Sequence, residues 1–178
     1  MTPPGGLGGA TSGKPLPDVG GPGLNVLFCG INPSLLSAET GHHFARPGNR
    51  FWPALHGAGF TPRRLDARED GLLPQLGLGT TNVCSRPTRA ADELSKAELL
   101  AGFAELEALA AEWAPRVVAV VGIGAWRTCT GERKAGVGPQ ERRVGGRPAW
   151  VLPNPSGLNA HFQLPDLVRL FGQLRAAL

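Results

Sequence analysis

Hydrophobic positions along this chain fall into short unbroken runs separated by longer mixed segments. "NVLFCG" (25–30) is apolar throughout and closed by a glycine. A run of that length, bounded by a breaker, predicts a strand buried on both faces. "RVVAVVG" (116–122) is the strongest strand pattern, continuous and β-branched, as in a parallel sheet covered on both sides. "LGTTNVC" (78–84) and "AWVLP" (149–153) give two further strands, the former weakened by its glycine and polar content. The clearest helix is "SKAELLAGFAELEALAAEW" (95–113). Ser95 with Glu98 three residues later forms a capping box, and Leu99, Phe103, Leu106, Ala110 and Trp113 recur on a 3.6-residue period. Pro115 ends it.

Shorter helices are predicted over "GNRFWPALHGAGF" (48–60), with a distortion at Pro53, and over "GAWRTCT" (124–130). "LPDLVRLFGQLRAAL" (164–178) closes the chain as an amphipathic helix, Pro165 being tolerated in its first turn. Residues 131–147, rich in Gly and Arg, predict a turn or hairpin around Gly136 to Pro139. Strands alternating with helices imply an α/β fold: one domain with a mostly parallel central sheet flanked by helices on both faces.

Composition sets the domain limits. Residues 1–23 hold eight Gly and five Pro, too little apolar surface to offset the entropy of ordering. They are expected to form a flexible tail, with the folded domain over 24–178. Gly8 to Lys14 matches a phosphate-loop spacing, but Pro15 stands where a Ser or Thr would bind magnesium and no strand precedes it. The 178 residues suffice for one domain with a real core. No secretory signal or membrane-length apolar stretch is evident, so a cytoplasmic, nucleoid-associated protein is expected. Cys29, Cys84 and Cys129 are dispersed, which supports neither a disulfide framework nor a zinc or iron–sulfur site.

Charge adds a partner class. The net charge of +4 suits a polyanion. Arg86, Arg89, Arg116, Arg127, Arg133, Lys134, Arg142, Arg143 and Arg147 all lie between residues 86 and 147, either as solvated surface or as a phosphate-facing patch.

Candidate chemistry rests on an echo. "GINPS" (30–34) and "PNPSG" (153–157) put Asn-Pro-Ser after two different strands, with Asn32 and Asn154 separated by 122 residues. Ligands of open α/β sheets sit at the carboxyl ends of strands, and the segment after "LGTTNVC" emerges at the same edge. Each proline biases the asparagine before it toward an extended backbone, fixing where its amide points. An amide offers donors and an acceptor without titrating. Either tripeptide alone also reads as an ordinary turn.

The order "VLFCGINPS", "SAETGHHFARPGNRFWPALHGAGFTPR", "RPTRAADELSKAEL", "VVAVVGIGAW" and "WVLPNPSGLN" resembles the mismatch-specific uracil/thymine DNA glycosylases of the uracil-DNA glycosylase superfamily. The resemblance spans roughly residues 24–175 and is carried by the combination of "GINP", "HFARPGNRFW" and "NPSGL". It implies an enzyme that flips uracil, or thymine, out of a G mismatch in duplex DNA and hydrolyses the N-glycosidic bond. Asn32 is then the residue that positions the attacking water. Phe44 is the ring on which the flipped base stacks, with Gly30 and Ile31 lining the slot. Gly157, Leu158 and Asn159 form a wedge that enters the duplex, and Asn154 and Ser156 sit beside it on the DNA-contacting loop.

The same resemblance implies no metal, no cofactor and a monomeric protein. Ser34 stands where a relative has Gly, Leu36 where it has a small polar residue, and Asp92 where it has Asn. The first two leave base preference open. Asp92 is either a contributor to catalysis or a charge at the start of the Ser95 helix. Glu93 reads as structural, and His42, His43, His56 and His161 as structural or surface residues. Three other readings remain: a broader uracil glycosylase acting also on A·U and single strands, a non-catalytic damaged-DNA-binding domain, and a small-molecule nucleoside hydrolase.

Overall fold

The computed structural model describes residues 16–178. Five strands form one sheet in the order β2-β1-β3-β5-β4, with β1 (Val26–Gly30), β2 (Leu78–Asn82), β3 (Val117–Val121), β4 (Gly138–Val144) and β5 (Arg147–Leu152). β1 runs parallel to β2 and β3, and β3 parallel to β5, while β4 is antiparallel on the edge. The α/β architecture expected from the sequence is therefore present, including the mostly parallel sheet and the helices on both faces.

Alternation along buried strands sorts side chains to the two faces. Leu27, Cys29, Val118, Val120 and Val151 pack against α3 (Lys96–Trp113) and α4 (Ile123–Thr130) through Phe103, Leu106 and Trp126. Val26, Phe28, Ala119, Val121 and Leu152 face α2 (Phe51–Gly57) and α5 (Leu164–Ala176), where Phe51, Leu55, Leu167 and Phe171 close the second core. Phe28 sits at its centre, 5.3 Å from the Phe51 ring and 5.9 Å from that of Phe171. The short α1 (Leu35–Thr40) is capped by Ser34, and residues 67–76 form a 3-10 helix.

The capping box of α3 forms as expected: Ser95 Oγ accepts from Glu98 N, and Glu98 Oε2 accepts from Ser95 N at 2.7 Å. Pro53 falls in the first turn of α2, where its missing N–H has no intrahelical partner to lose, so the expected distortion does not arise. The hairpin is displaced from its expected place. Its turn is Gly145–Gly146, both at positive φ (56° and 77°), and of Gly136 to Pro139 the last two already belong to β4. "GPQERRV" hides this strand because an edge strand with solvated faces carries charge rather than an apolar pattern.

The expected tail, residues 1–23, is described only in part. Residues 1–15 of the expected tail, including the Gly8–Lys14 spacing, lie outside the described residues. Within residues 16–23, Leu16 is buried and Val19 forms a bridge with Thr80, while Pro17, Gly20, Pro22 and Gly23 are exposed. A few well-placed apolar and hydrogen-bonding residues tie down a segment whose average composition argues for disorder.

Candidate active site

The sheet positions the site. β1 has β2 on one side and β3 on the other, so the connections leaving the strands diverge at its carboxyl end, the place where α/β sheets hold ligands. An open cleft of about 730 Å³ lies there. It is lined by Gly30 at the end of β1, by Ile31 and Asn32 just after it, by Phe44 from the segment between α1 and α2, and by Asn154 and Leu158 from the loop after β5. The two Asn-Pro-Ser segments thus reach one cavity. Ser156, Asn159 and Asp92 also line it, whereas Gly157 does not.

Asn32 is held by its amide nitrogen. Its Nδ2 donates to the Arg86 carbonyl at 2.8 Å and to Thr88 Oγ1 at 2.7 Å. Both N–H groups are thereby committed, and no hydrogen bond within the described residues reaches Oδ1. The side chain presents an acceptor to the cleft, suited to hold a water by one of its hydrogens. The loop that holds it is itself secured. Arg86 makes a paired contact with Glu98 (Nε to Oε1 2.7 Å, Nη2 to Oε2 3.1 Å) and donates to the Glu93 carbonyl at 3.0 Å. The hydrogen bond from Arg86, then that from the Ser95 backbone N–H, hold the Glu98 carboxyl down at about 2.

Phe44 is half-buried and adopts φ 53°, an uncommon left-handed conformation for a bulky residue. Such strain persists only where the surroundings over-determine it, and it concentrates at functional sites. Here the neighbours on each side are tied down. His43 N donates to the buried Asp70 at 2.9 Å, and Ala45 N donates to Ser37 Oγ at 3.0 Å. The Trp52 indole donates to the His43 carbonyl at 3.3 Å, and the Phe44 ring stacks on Phe51 with centroids 4.0 Å apart. One face of the ring rests on the core while the residue also lines the cleft. His42 pairs with Asp70 at 3.1 Å, and His43 is fully buried. Both serve the loop, in keeping with their structural reading.

Gly30 makes room for two residues at once. A Cβ there would lie 2.6 Å from Asn82 Oδ1 and 3.4 Å from the Phe44 ring. Asn82, the last residue of β2, lines the cleft between them. The sequence reading passed over it because it ends a weak strand without a proline to mark it. A third asparagine at a strand end was the available signal.

The loop after β5 is organised by Arg50, another residue that sequence reasoning left unassigned. Its Nη2 donates to the carbonyls of Ser156 (2.7 Å) and Asn159 (3.1 Å), and its Nη1 to that of Phe162. Asn154 Oδ1 accepts from Ser156 N at 3.0 Å, and Asn159 uses both ends of its amide within the loop, on Asn154 O and His161 N. Asn159 therefore shapes the loop through its side chain. Gly157 permits a close approach, but to this chain's own Gly48, whose carbonyl would lie 2.8 Å from a Cβ. Leu158 is 65% exposed, so it does not anchor the loop to the core and projects outward at the cleft rim.

Asp92 is exposed on the rim, in the 3-10 turn Ala91–Glu93. It precedes the Ser95 cap and is not in the first turn of α3, where Glu98 is the acidic residue. Glu93 is structural, its Oε2 accepting from Ala90 N at 2.7 Å. The basic residues do not form one patch. Arg89 and Arg46 line the cleft, but Arg147 donates to Pro115 O at the opposite end of the sheet, and Arg142 lies over Phe103 and 3.5 Å from Glu107 on the α3 face. Among the described residues no three His, Cys, Asp or Glu side chains gather as a metal site requires, and no helix is long and apolar enough to cross a membrane.

A profile of the Uracil DNA glycosylase superfamily matches residues 17–175. The fold is similar to the solution NMR structure of a candidate uracil DNA glycosylase from Methanosarcina acetivorans, at TM-score 0.57 and 19% identity, covering 90% of this chain and 96% of that one. The match begins at residue 17, within the segment that packs beside β2, and takes in both Asn-Pro-Ser loops and the cleft they line; the chain belongs to the uracil DNA glycosylase superfamily.

Proposed function

We propose that this protein excises uracil from G mismatches in duplex DNA, with thymine or related pyrimidines as further substrates, and leaves an abasic site. The observation that carries the reading is the Asn32 amide: both N–H groups are bound to the Arg86–Thr88 loop, leaving Oδ1 to hold a water in a cleft floored by Phe44.

The glycosidic bond cannot be reached inside a stacked duplex, so the nucleotide is flipped out, and a mismatched base costs least to extract. Leu158, exposed on a loop braced by Arg50, fills the space left behind, as apolar wedges do elsewhere at a cost of a few kcal/mol of unstacking. The base stacks on Phe44, worth about 1–3 kcal/mol. The bond between C1′ and N1 breaks with its electron pair going to the base, which leaves as a delocalised anion. The Asn82 amide stands at the cleft wall where a donor would stabilise that charge. The water on Asn32 Oδ1 then bonds to C1′ and releases one proton to solvent. An amide cannot take that proton as a carboxylate would. Asp92, exposed at the rim, is the carboxylate within this site that can assist or balance charge on the sugar.

The test is cleavage of labelled duplexes bearing G·U, A·U or G·T, and of single-stranded U, in EDTA, by wild type, Asn32→Ala and Asp92→Asn. Preferential G·U cleavage that Asn32→Ala abolishes supports the mismatch enzyme working without a metal. Equal cleavage of every uracil substrate shifts the reading to a broader uracil glycosylase. Duplex binding without cleavage makes it a damage-binding domain. Near-normal G·U cleavage by Asp92→Asn removes Asp92 from the mechanism.

A further inference from the structure

Residues 16–19 approach the cleft from outside every motif that suggested the site. Val19 and Thr80 exchange both backbone hydrogen bonds, 2.9 and 2.8 Å, as a single antiparallel pair on the outer edge of β2. Because the pairing is antiparallel, the chain before Val19 runs toward the carboxyl end of the strand. Asp18 comes next, its Oδ1 accepting from the Thr81 hydroxyl at 2.6 Å. The Pro17 carbonyl lies 2.8 Å from His43 Nε2, and since a carbonyl only accepts, that nitrogen carries the proton. Leu16 is then delivered to the wall of the cleft that also contains Gly30, Phe44 and Asn82.

Two observations separate Leu16 from an ordinary core residue. It is 3% exposed yet belongs to neither of the two core clusters that cover the faces of the sheet. The segment carrying it is also tied to the loop that holds the Phe44 ring, through Pro17 and His43.

We propose that Leu16 is a specificity-determining residue, its side chain limiting the bulk that a pyrimidine can carry on the ring edge turned toward β2. This rests on the reading of the cleft as a base site. A methyl-sized change in such a wall is worth about 10–200-fold in discrimination. Asp18 and Val19 hold the backbone so that the limit is set by side-chain size, and not by drift of the segment.

The experiment measures binding of free uracil, thymine, 3-methyluracil and 6-methyluracil by NMR titration, which samples a methyl at three ring positions without requiring cleavage. It compares full-length wild type, Leu16→Ala and Leu16→Phe, with excision from G·U and G·T duplexes run in parallel. Leu16→Ala is expected to raise the affinity of at least one methylated base relative to uracil by about tenfold, and Leu16→Phe to lower that ratio. Leu16→Val replaces Leu16→Ala if the latter melts below the assay temperature. Parallel changes for all four bases in the folded variants overturn the proposal, as does a wild type that binds none of them. Base binding that responds to Leu16 in a protein that cleaves no duplex keeps this inference and removes the proposed function instead.

Discussion

Replacing Arg50 tests whether the loop carrying the exposed Leu158 is held by its guanidinium. The guanidinium donates to the carbonyls of Ser156 at 2.7 Å, Asn159 at 3.1 Å and Phe162, while the longer contact to Pro155, 3.4 Å, adds little. Hydrogen bonds to a charged group contribute about 1.5–3 kcal/mol each, so three give an upper bound of about 4.5–9 kcal/mol. These carbonyls lie near the rim and water can replace part of the loss. Effects within one network are also not additive. A net destabilisation of about 2–4 kcal/mol is expected for Arg50→Met. For a chain of this size each kcal/mol shifts Tm by about 2–4 °C, which places the drop at about 4–16 °C. Arg50→Lys should recover less than half of it, because one ammonium cannot span carbonyls that a planar fork reaches together. Arg46→Ala, whose exposed side chain makes only a 3.5 Å contact to Arg89 O, should melt like wild type. The assay is thermal melting with duplex affinity measured alongside, and affinity should fall with the loop. An Arg50→Met protein that melts within about 1 °C of wild type and binds duplex normally would refute the brace.

Other outcomes follow from the same geometry. Gly30→Ala should cut glycosylase activity at least a hundredfold with only modest destabilisation, since its Cβ would displace the Asn82 amide from 2.6 Å; single-turnover kinetics and a melt distinguish the two effects. Gly102→Ala should destabilise by more than about 3 kcal/mol in urea unfolding, because its Cβ would sit 2.0 Å from the Val83 carbonyl, a backbone atom that cannot swing aside. Glu98 is held at about 2 from an ordinary 4.5, so its contribution is complete above pH 4.5 and is lost as the pH falls toward 2. The Tm gap between wild type and Glu98→Gln should be constant above about pH 5 and close across that window. Burial pushes the Cys129 thiol up to about 11 and raises that of Cys84, so the native protein should resist iodoacetamide at pH 8 and become reactive only on unfolding.

What the sequence determined by itself was mostly local or periodic. The strands at 26–30 and 117–121 and the helix at 96–113 were legible because hydrophobic period, β-branching and the Ser95–Glu98 box agree within a few residues. Asn32 was legible because a proline marks its loop at the end of a strand, whereas Phe44 and Leu158 were singled out only through the family resemblance carried by the ordered motifs. Three things were decided only by tertiary structure. β4 has no apolar signature, since an edge strand is specified by the partner it pairs with. Arg50 sits in a short quoted motif, yet its role depends on carbonyls more than 100 residues away in the chain. Asn82 and Leu16 come to the cleft through the register of β2 against β1 on one side and Val19 on the other. Spacing along a chain cannot express that kind of placement, because the distance between the residues is set by hydrogen-bonded pairing of strands and not by the number of residues between them.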